Sequence, residues 1–312
     1  MSGPGRMRVD VCICTFRRTY LSETLRSVSA CADSAVDMRI IVADNDTVPS
    51  AQPLVDAFAS EVAFPVIYLH APDRNISLAR NACLDAASAD FIAFVDDDEH
   101  VTPQWLKALI QAAETTEADV VLGPVTAVYS DDAPGWMRRG DFHSTVPAYV
   151  NGSIQTGYTC NVLMRCKEPF RALQFDIALG RSGGEDTDYF YRLRDLGACI
   201  VFASDALVYE PVPAERAQMI WLLRRRLRSG QTYGTQLIRS SKNRWTSIAL
   251  ASAKSGYCLA MAGLTIFSPV LWRRNILRGA LHIGVIGGLL EAKQAALYGD
   301  RGVAPASGDR EQ

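Results

Sequence analysis

Short apolar runs alternate with segments of helical periodicity along about the first 210 residues of the chain. The strand-like runs cover residues 9–14, 38–43, 65–69, 91–95 and 120–122. Between them, apolar positions recur at helical spacing, which predicts helices over residues 21–32, 53–59, 77–87 and 102–115. Strands that alternate with helices form right-handed βαβ units. We therefore expect an α/β domain with a mainly parallel central sheet.

Polar clusters follow three of these strands at the point where each strand ends. The first strand runs into a TFRR segment that contains Thr15 and Arg17, and the second runs into Asp44-Asn45-Asp46. The fourth strand runs into Asp96-Asp97-Asp98-Glu99. Ligands of open parallel sheets bind beyond the carboxyl ends of the strands. The three clusters are therefore expected to form one site.

The acidic run behind the fourth strand suggests a site for a hard cation. Asp96 and Asp98 are separated by one residue in a turn, so both carboxylates can face the same side. Mg²⁺ and Mn²⁺ take one or two protein carboxylates and complete their coordination with water and substrate phosphate. A solvated loop, or an acidic cluster at the start of the next helix, would have the same sequence. The position on the common rim favours the metal site.

A second acidic pair, Glu185 and Asp186, follows two glycines and opens a predicted helix. Glycines allow the backbone to approach a bulky ligand closely. A helix N-terminus favours negative charge, which suits a carboxylate that acts as a general base. An ordinary capped helix with acidic first-turn residues would show the same pattern, so both interpretations stay open.

Three further residues are candidates for contact with a nucleotide. Asp44 could accept a hydrogen bond from a base or a ribose, although Asp after a strand also makes turns. Arg80 could face phosphates, which need compensating cations. Asn75 opens the same NISLARN segment, which could equally be an ordinary helix with an Asn or Ser cap.

The formal net charge of −2 hides a sharp division of charge along the chain. Residues 1–215 carry 17 Lys and Arg against 30 Asp and Glu, a net charge of −13. Residues 216–290 carry 12 Lys and Arg and no acidic residue, a net charge of +12. Such asymmetry indicates two different tasks, and the basic part points towards an anionic surface.

The basic part alternates arginine clusters with long apolar stretches, which is typical of helices on an anionic membrane face. Nucleic-acid binding predicts basic residues interleaved with aromatic and polar contacts, so we expect no nucleic-acid partner. Residues 255–272 carry no charge and reach about the minimum length of a bilayer span, but their Gly, Ser and Pro content favours peripheral or re-entrant attachment. Buried helices that pack on the first domain remain the alternative. The arginines that could bind lipid headgroups or a lipid-linked diphosphate are Arg224, Arg225, Arg226 and Arg228.

These divisions predict an α/β domain over residues 7–213, a helical membrane-associating region over 214–299 and a disordered tail over 300–312. The eight cysteines form no CxxC pair, which indicates a reducing compartment. The first residues lead into a strand without the apolar core of a signal peptide. The four histidines show neither HxH nor HExxH spacing, so a zinc site is not expected.

Several motifs occur together in the order and spacing of a known family. TFRR, ADN, NISLARN, FVDDDE and GGEDTD resemble the motifs of family 2 inverting glycosyltransferases, which have the Rossmann-like GT-A fold, over about residues 8–213. TGYTCN, GDFHST, YEPVP and RSGQT are similar to segments of the β-glucosyltransferases of succinoglycan-type exopolysaccharide assembly. The resemblance implies a UDP-sugar donor and a β-glycoside product. It also implies a polyprenyl-diphosphate-linked oligosaccharide acceptor at the cytoplasmic face of the inner membrane.

The resemblance further implies a role for each candidate residue. Asp186 would be the base that deprotonates the acceptor hydroxyl, and Glu185 would help to orient the acceptor. Asp98, with Asp96, would hold a Mg²⁺ or Mn²⁺ ion that bridges the diphosphate. Asp44 would lie near the uracil. The residues expected to contact the UDP-sugar are Thr15, Arg17, Asp44, Asn75, Arg80, Asp96 and Asp97.

One position departs from the family pattern. Related enzymes often carry a metal-binding His directly before the EPVP segment, where this chain has Tyr209 followed by Glu210. Either Glu210 replaces that ligand, or Asp98, diphosphate and water complete the coordination. Among rival functions, a sugar-nucleotide pyrophosphorylase needs a Gly-rich loop after the first strand, and a phosphoaspartyl phosphatase needs a DxDxT motif there. The first strand instead ends in CTFRR, while an inactive membrane-bound scaffold of the same fold remains a rival.

Overall fold

The computed structural model describes residues 6–33, 35–240 and 243–292 of the chain. Its strands are β1 (Met7–Thr15), β2 (Val36–Asp44), β3 (Val66–His70), β4 (Phe91–Val95), β5 (His100–Val101), β6 (Val120–Leu122), β7 (Val125–Tyr129), β8 (Tyr149–Val150), β9 (Ser153–Ile154), β10 (Asn161–Arg165), β11 (Ile200–Phe202) and β12 (Val208–Val212). Its α-helices are α1 (Leu21–Ser29), α2 (Gln52–Ala59), α3 (Ile76–Ala86), α4 (Trp105–Thr116), α5 (Gly135–Gly140), α6 (Glu185–Asp195), α7 (Met219–Arg239), α8 (Arg244–Leu264) and α9 (Leu271–Leu289). Short 3₁₀ helices cover Phe170–Ala172 and Ile177–Leu179.

The central sheet has seven strands in the order β11-β6-β10-β4-β1-β2-β3. Neighbouring strands run parallel except at β10, which is antiparallel to both β4 and β6. The predicted mainly parallel α/β sheet is therefore confirmed. The strands expected at residues 91–95 and 120–122 occur with those bounds.

The strands of this sheet are apolar on both faces because helices or loops cover both faces. Val9, Val11 and Ile13 of β1 contribute to the core on one face, while Cys12 contributes to the core on the other. In the same way, alternate residues of β4 enter the two cores. This explains why FIAFV is a continuous apolar run that leads directly into carboxylates.

β9 and β10 follow one another in the chain but belong to different sheets. β9 pairs with β8 in a small hairpin, and β10 inserts between β4 and β6 of the central sheet. The apolar side chains of β10 are buried on both faces of that sheet, where Val162 and Leu163 belong to different cores. Pairing with distant strands buries more apolar surface than a local hairpin could.

A second, three-stranded sheet lies next to the acidic run. Its order is β5-β12-β7, with β12 antiparallel to β5 and parallel to β7. β5 begins directly after Glu99, and its His100 lies opposite Tyr209 of β12. This pairing brings Glu210 of β12 to the end of the acidic run, although about 110 residues separate them in the chain.

The helices beyond residue 213 pack on one another and on the first domain. Helices α7 and α9 approach each other closely through Gly230 and Gly234 on one side and Gly284 and Gly288 on the other. A Cβ atom added at Gly284 would lie 2.0 Å from the carbonyl oxygen of Leu227. A separate apolar cluster joins these helices to α5 and β12. It contains Met137, Phe142, Val212, Ala217, Leu222 and Leu277.

The uncharged stretch at residues 255–272 is divided between two helices. α8 ends at Leu264 and α9 begins at Leu271, with Pro269 in the turn between them. No helix within residues 6–33, 35–240 and 243–292 has the length and apolar character needed to cross a membrane. The part of the predicted helical region from residue 293 onwards and the predicted tail over 300–312 lie outside the described residues. The proposed domain boundaries stay a prediction.

Candidate active site

The three polar clusters meet at the carboxyl ends of β1, β2 and β4. Thr15 at the end of β1 lies opposite Asp44 at the end of β2, and β4 lies on the other side of β1. The backbone N–H of Phe16 donates to Asp97 Oδ2 at 3.3 Å, which joins the TFRR segment to the acidic run. Parallel pairing therefore builds a single polar rim, as expected for a ligand site of an open sheet.

Alternate residues of the acidic run face inwards. Asp97 and Glu99 are buried, and Glu99 Oε2 accepts a hydrogen bond of 2.9 Å from the backbone N–H of Asp96. Asp96 and Asp98 are only half-buried. The two inward carboxylates hold the turn, and the other two are left on the side that a ligand can reach.

Crowding and burial raise the pKa of several carboxyl groups at this rim. Burial raises the pKa of Asp96 to about 6, with Asp98 and Glu210 adding to the effect and Arg80 opposing it. Burial and the neighbouring Asp98 raise the pKa of Asp97 to about 7. Carboxylates that repel one another to this degree gain from any added cation.

Arg216 already supplies one cation to this cluster. Its guanidinium donates to Glu210 Oε1 at 2.7 Å and to Asp98 Oδ2 at 3.3 Å. Arg18 Nη2 lies 3.2 Å from the same Asp98 oxygen. Neither arginine was a candidate from the sequence, because their contacts depend on β12 and the TFRR segment meeting at the rim.

The rim fits a divalent ion that is held mainly by its substrate. Over the part of the chain that the structure describes, no three His, Cys, Asp or Glu side chains are arranged to hold a metal. Mg²⁺ and Mn²⁺ at nucleotide sites need only one or two carboxylates, because phosphate oxygens and water fill the remaining positions. Asp98 and Asp96 could supply those carboxylates, and the mutual repulsion of the cluster favours a cation there.

Arg80 connects the acidic run to the GGED segment. It lies on α3, is 6% exposed, and forms a buried ion pair with Glu185 Oε1. The Phe175 ring lies 5.5 Å beneath its guanidinium carbon. Burial opposes its charge, but Glu185, Asp96 and Asp186 together raise its pKa. The guanidinium thus stays charged among the candidate site carboxylates.

Glu185 points into the protein rather than out of the rim. It is 3% exposed, and its second oxygen, Oε2, makes no hydrogen bond among the described residues. Burial raises its pKa, although Arg80 opposes this shift. The contact with Arg80 makes Glu185 a positioning group in this arrangement, while its expected contact with an acceptor stays a prediction.

Asp186 is half-buried in the first turn of α6. Its Oδ1 accepts hydrogen bonds from the backbone N–H of Thr187 at 2.6 Å and from the Thr187 hydroxyl at 3.3 Å. Gly184, the residue before α6, has φ of 91° and leaves no room for a Cβ, which would lie 2.7 Å from Thr232. The carboxylate is therefore held in one orientation by a helix start that is itself fixed.

Helix α7 also holds α6 through a buried charge. Asp188 is 5% exposed and accepts a hydrogen bond of 2.8 Å from Arg192 Nε, one turn further along α6. Its other oxygen pairs with Arg239 near the end of α7. The basic C-terminal helices thus contribute directly to the wall around the GGED segment.

Two of the expected nucleotide contacts already have partners within the protein. The Asp44 carboxylate accepts hydrogen bonds from the backbone N–H groups of Asp46 and Ala51 and from the Tyr68 hydroxyl, at 2.8–3.0 Å. Asn75 caps α3 with its side-chain oxygen, and its amide donates to the carbonyl of Ile177 at 3.0 Å. Both side chains therefore hold loops around the rim, and their contact with a nucleotide stays a prediction.

Arg17 lies beside these loops in a left-handed backbone conformation, with φ of 52°. Its Nε donates to Asp46 Oδ2 at 2.7 Å. This hydrogen bond lowers the pKa of Asp46 to about 2. The guanidinium is partly exposed at the edge of the rim, so a ligand could still reach it.

His143 is a further residue whose place the sequence did not indicate. It is 2% exposed, and its Nε2 lies 3.1 Å from the carbonyl of Arg216. The carbonyl can only accept, so Nε2 carries the proton and Nδ1 accepts from the Tyr129 hydroxyl at 3.0 Å. The ring also stacks on Trp221 at 5.2 Å. His143 therefore supports Arg216, which bridges the carboxylates.

A sheet of this topology, with its acidic run and its GGED helix on one rim, has the architecture of a nucleotide-sugar transferase of GT-A type. The profile of the family described as glycosyl transferase family 2 matches residues 10–171. The chain belongs to this family and is a glycosyltransferase.

The similarity to one relative extends over nearly the whole chain. The chain is 48% identical over 306 residues to the succinoglycan biosynthesis protein ExoM of Rhizobium meliloti (strain 1021), covering 96% of this chain and 98% of ExoM. This match includes the C-terminal helices as well as the profile region. The resemblance to family 2 transferases of the GT-A fold, and to the succinoglycan type, is confirmed.

Solved structures support the fold. The mannosyltransferase PcManGT from Pyrobaculum calidifontis, in complex with GDP-Man and Mn²⁺, superposes with a TM-score of 0.62 at 16% identity, covering 93% of this chain and 89% of that chain. TarS 1-349 from S. aureus, in complex with UDP, gives 0.53 at 16% identity, covering 92% of each chain. The chain spans 55% of a longer TarS structure.

Proposed function

We propose that the chain transfers glucose from UDP-glucose to a hydroxyl of a lipid-linked oligosaccharide, with inversion to a β-glycoside, in bacterial exopolysaccharide assembly. The extent of the match to ExoM, a succinoglycan biosynthesis protein, supports the pathway. The lipid-linked acceptor rests on the resemblance to the transferases of succinoglycan-type exopolysaccharide assembly. The UDP in the TarS complex supports the donor class. Glucose itself rests on the resemblance to β-glucosyltransferases in the motifs TGYTCN, GDFHST, YEPVP and RSGQT.

The observation that carries the proposal is the interaction of Arg80 with carboxylates of both the acidic run and the GGED segment. Its guanidinium pairs with Glu185, and its charge also interacts with Asp96 and Asp186. A single displacement needs the base and the diphosphate-metal group on opposite sides of the anomeric carbon, so the carboxylates for both tasks must belong to one site. Glu185 keeps the guanidinium in this position through the buried ion pair.

A Mg²⁺ or Mn²⁺ ion would be held by Asp98 and Asp96 together with the donor's diphosphate. When bound, the ion would offset the negative charge that builds on the departing UDP. Glu210 is the candidate for a third carboxylate, since its side chain shares Arg216 with Asp98. Binding of the ion would then replace part of the contact that Arg216 makes.

Asp186 is proposed to act as the general base. Thr187 fixes its Oδ1, so Oδ2 is the oxygen that would accept the proton of the acceptor hydroxyl. The acceptor oxygen then bonds to the anomeric carbon as the bond from that carbon to the diphosphate breaks. The electron pair leaves with UDP, and the sugar is inverted from the α-linked donor to a β-glycoside.

Attachment to the anionic cytoplasmic face of the inner membrane follows from the C-terminal helices. Large apolar side chains are exposed on α8 and on the turn after it, including Trp245 at 73%, Leu264 at 75% and Phe267 at 95%. The residues over 216–290 carry a net charge of +12. Apolar insertion combined with basic residues is the composition of a peripheral membrane surface.

Transfer from a panel of UDP-sugars, with Mn²⁺ or Mg²⁺, tests the proposal directly. We expect UDP-glucose to be consumed fastest, and Asp186→Asn to reduce turnover by about 10²–10⁴-fold while UDP binding is kept. Asp195→Asn, at the exposed end of the same helix, is the matched control and should behave as wild type. Unchanged turnover in Asp186→Asn would refute the base assignment, and the lack of any UDP binding would instead indicate an inactive scaffold.

A further inference from the structure

A large cationic cleft lies among the C-terminal helices, outside the acidic rim. Its volume is about 850 Å³, and it is bounded by the end of α5 and by α7, α8 and α9. Volumes of this size accommodate organic ligands rather than single ions. The basic residues that line it are Arg226, Lys254, Arg274, Arg278 and His282.

The positive charge of this cleft is poorly balanced within the protein. Asp141 is the one acidic residue in the lining. Throughout residues 6–33, 35–240 and 243–292, no carboxylate lies within salt-bridge distance of Arg226, Lys254 or Arg278. Burial, together with the charges of Arg225 and Arg278, lowers the pKa of Arg226. Arg226 is half-buried, whereas Lys254, Arg274 and Arg278 are exposed to the cleft. Neighbouring cations that repel one another provide a favourable site for a multivalent anion.

The same cleft has an apolar wall that continues onto an exposed apolar surface. Tyr257, Leu277 and Leu281 line it beside the cations. Tyr257 is 67% exposed on α8, and Leu264 and Phe267 follow along the same helix and its turn at 75% and 95%. A ligand with an anionic head and a hydrocarbon chain could contact both parts at once.

We propose that this cleft binds the diphosphate of the lipid-linked acceptor, with the adjoining hydrocarbon chain against α8; the inference rests on the lipid-linked acceptor of the proposed function. Two linked phosphates supply the several negative charges that the cations require. A glycerophospholipid headgroup carries one phosphate and would leave more of this charge unpaired. The large volume also leaves room for the first sugars that follow the diphosphate.

Two pairs of consecutive residues connect the cleft to the acidic rim. Phe142 lines the cleft, and the next residue, His143, contacts the carbonyl of Arg216. Arg226 lines the cleft, and the charge of the preceding residue, Arg225, acts on Glu210, where it partly opposes the rise in pKa that burial causes. Consecutive Cα atoms are about 3.8 Å apart. Residues that are adjacent in the chain thus belong to the cleft and to the surroundings of the rim, and an acceptor anchored in the cleft could extend its saccharide towards the transfer site.

Binding of farnesyl diphosphate to the full-length chain tests this inference. The measurement is isothermal titration calorimetry in EDTA, which suppresses diphosphate binding at a metal-dependent donor site. We expect Arg226→Gln with Arg278→Gln to weaken binding at least 10-fold. The control, Arg244→Gln with Arg273→Gln, removes the same charge from α8 and α9 at positions that do not line the cleft, and should bind within about 2-fold of wild type.

Two further measurements separate the sources of the signal. UDP binding with Mn²⁺ should be the same in the wild type and in both double variants. If the wild type does not bind UDP, the donor assignment is refuted, while the farnesyl diphosphate result still tests the cleft. Cosedimentation with phosphatidylglycerol vesicles should fall equally in both double variants, because it depends on net charge. Lys254→Gln and Tyr257→Ser, at exposed positions that tolerate change, should each weaken farnesyl diphosphate binding by about 3-fold or more.

Three results would overturn the inference. The first is wild-type farnesyl diphosphate affinity in the cleft double variant. The second is an equal loss in the control pair, which would mean that the anion responds to net charge alone. The third is a selective loss of phosphatidylglycerol binding in the cleft variant, which would make the cleft a site for phospholipid headgroups.

Discussion

Acidification is expected to destabilise the fold through one buried imidazole, that of His143. Burial and the nearby Arg225 and Arg216 lower its pKa from 6.5 to about 4. Protonation of Nδ1 would remove the acceptor of the Tyr129 hydroxyl and place a second cation beside Arg216. The folded chain therefore binds this proton less readily than the unfolded chain, and stability falls as the pH drops from about 6.5 towards 4.

The size of this effect follows from the two pKa values. With 6.5 for the unfolded chain and about 4 for the folded chain, the loss reaches about 3 kcal/mol at pH 4. Between pH 7.5 and pH 5 the same calculation gives about 2 kcal/mol. Asp96 and Asp97 act in the opposite sense, because their raised pKa values make the folded chain hold protons more tightly. A difference between two variants is therefore needed to isolate His143.

Urea unfolding followed by tryptophan fluorescence at pH 7.5 and pH 5 provides this difference. His143→Gln keeps a donor and an acceptor but does not titrate. We expect the wild type to lose about 2 kcal/mol more than this variant over the interval. Equal losses in the two proteins would show that the imidazole keeps an ordinary pKa, and the buried arrangement with Tyr129 and Arg216 would then be wrong.

Three other predictions concern packing and ligand coupling. Gly184→Ala should cost about 1–3 kcal/mol in thermal unfolding and reduce transfer, because φ is 91° and the new methyl group would meet Thr232; unchanged stability would contradict the contact. Gly284→Ala should lower Tm because its Cβ would lie 2.0 Å from a backbone oxygen. Gly256→Ala has no atom within 4 Å of its Cβ and should add about 0.5–1 kcal/mol of stability. A stability change of the same sign in both variants would refute the packing argument. Mn²⁺ should bind at least about 10-fold more tightly with UDP present, and UDP equally more tightly with Mn²⁺; calorimetry that finds independent binding would exclude a shared site at Asp98.

The strands of the central sheet could be predicted because their apolar runs are local signals. The runs at 9–14 and 91–95 are apolar on both faces, and the polar residues that follow them mark the rim. The partners of β10 could not be predicted in the same way. Strand pairing between β10, β4 and β6 is decided by which distant apolar faces remain to be covered, and this information is not contained in a local pattern.

The acidic residues of the candidate site could be predicted from the sequence, but the arginines that pair with them could not. Asp96 and Asp98 could be identified because they follow a buried strand. Arg216 has no such marker: it lies just after the first domain's last strand, and only the pairing of β12 with β5 brings it to Asp98. The inward direction of Glu185 likewise depends on Arg80 lying opposite it on α3, which the sequence around either residue does not show.

The uncharged stretch at 255–272 illustrates the limit of composition. Its length suggested one continuous segment, but Pro269 lacks the backbone N–H that a helix interior needs, and the chain turns before α9. Small residues on α8 then face α9, where Ala251, Ser255, Cys258 and Ala262 are buried. Their spacing is helical, and it favours packing between two helices over a single long helix.

The pairing of Asp188 with Arg239 bears on how the chain could be shortened. A chain ending at residue 213 would lose the ion pair between Asp188 and Arg239 and keep the one between Asp188 and Arg192. It would also lose Thr232, which packs against Gly184. It would also expose Val212 and Phe142, which share a core with α7 and α9. The helix that carries Asp186 would lose one of its supports. We therefore expect the first 213 residues not to fold stably alone, and loss of transfer after such a truncation would report a disordered base rather than detachment from a membrane.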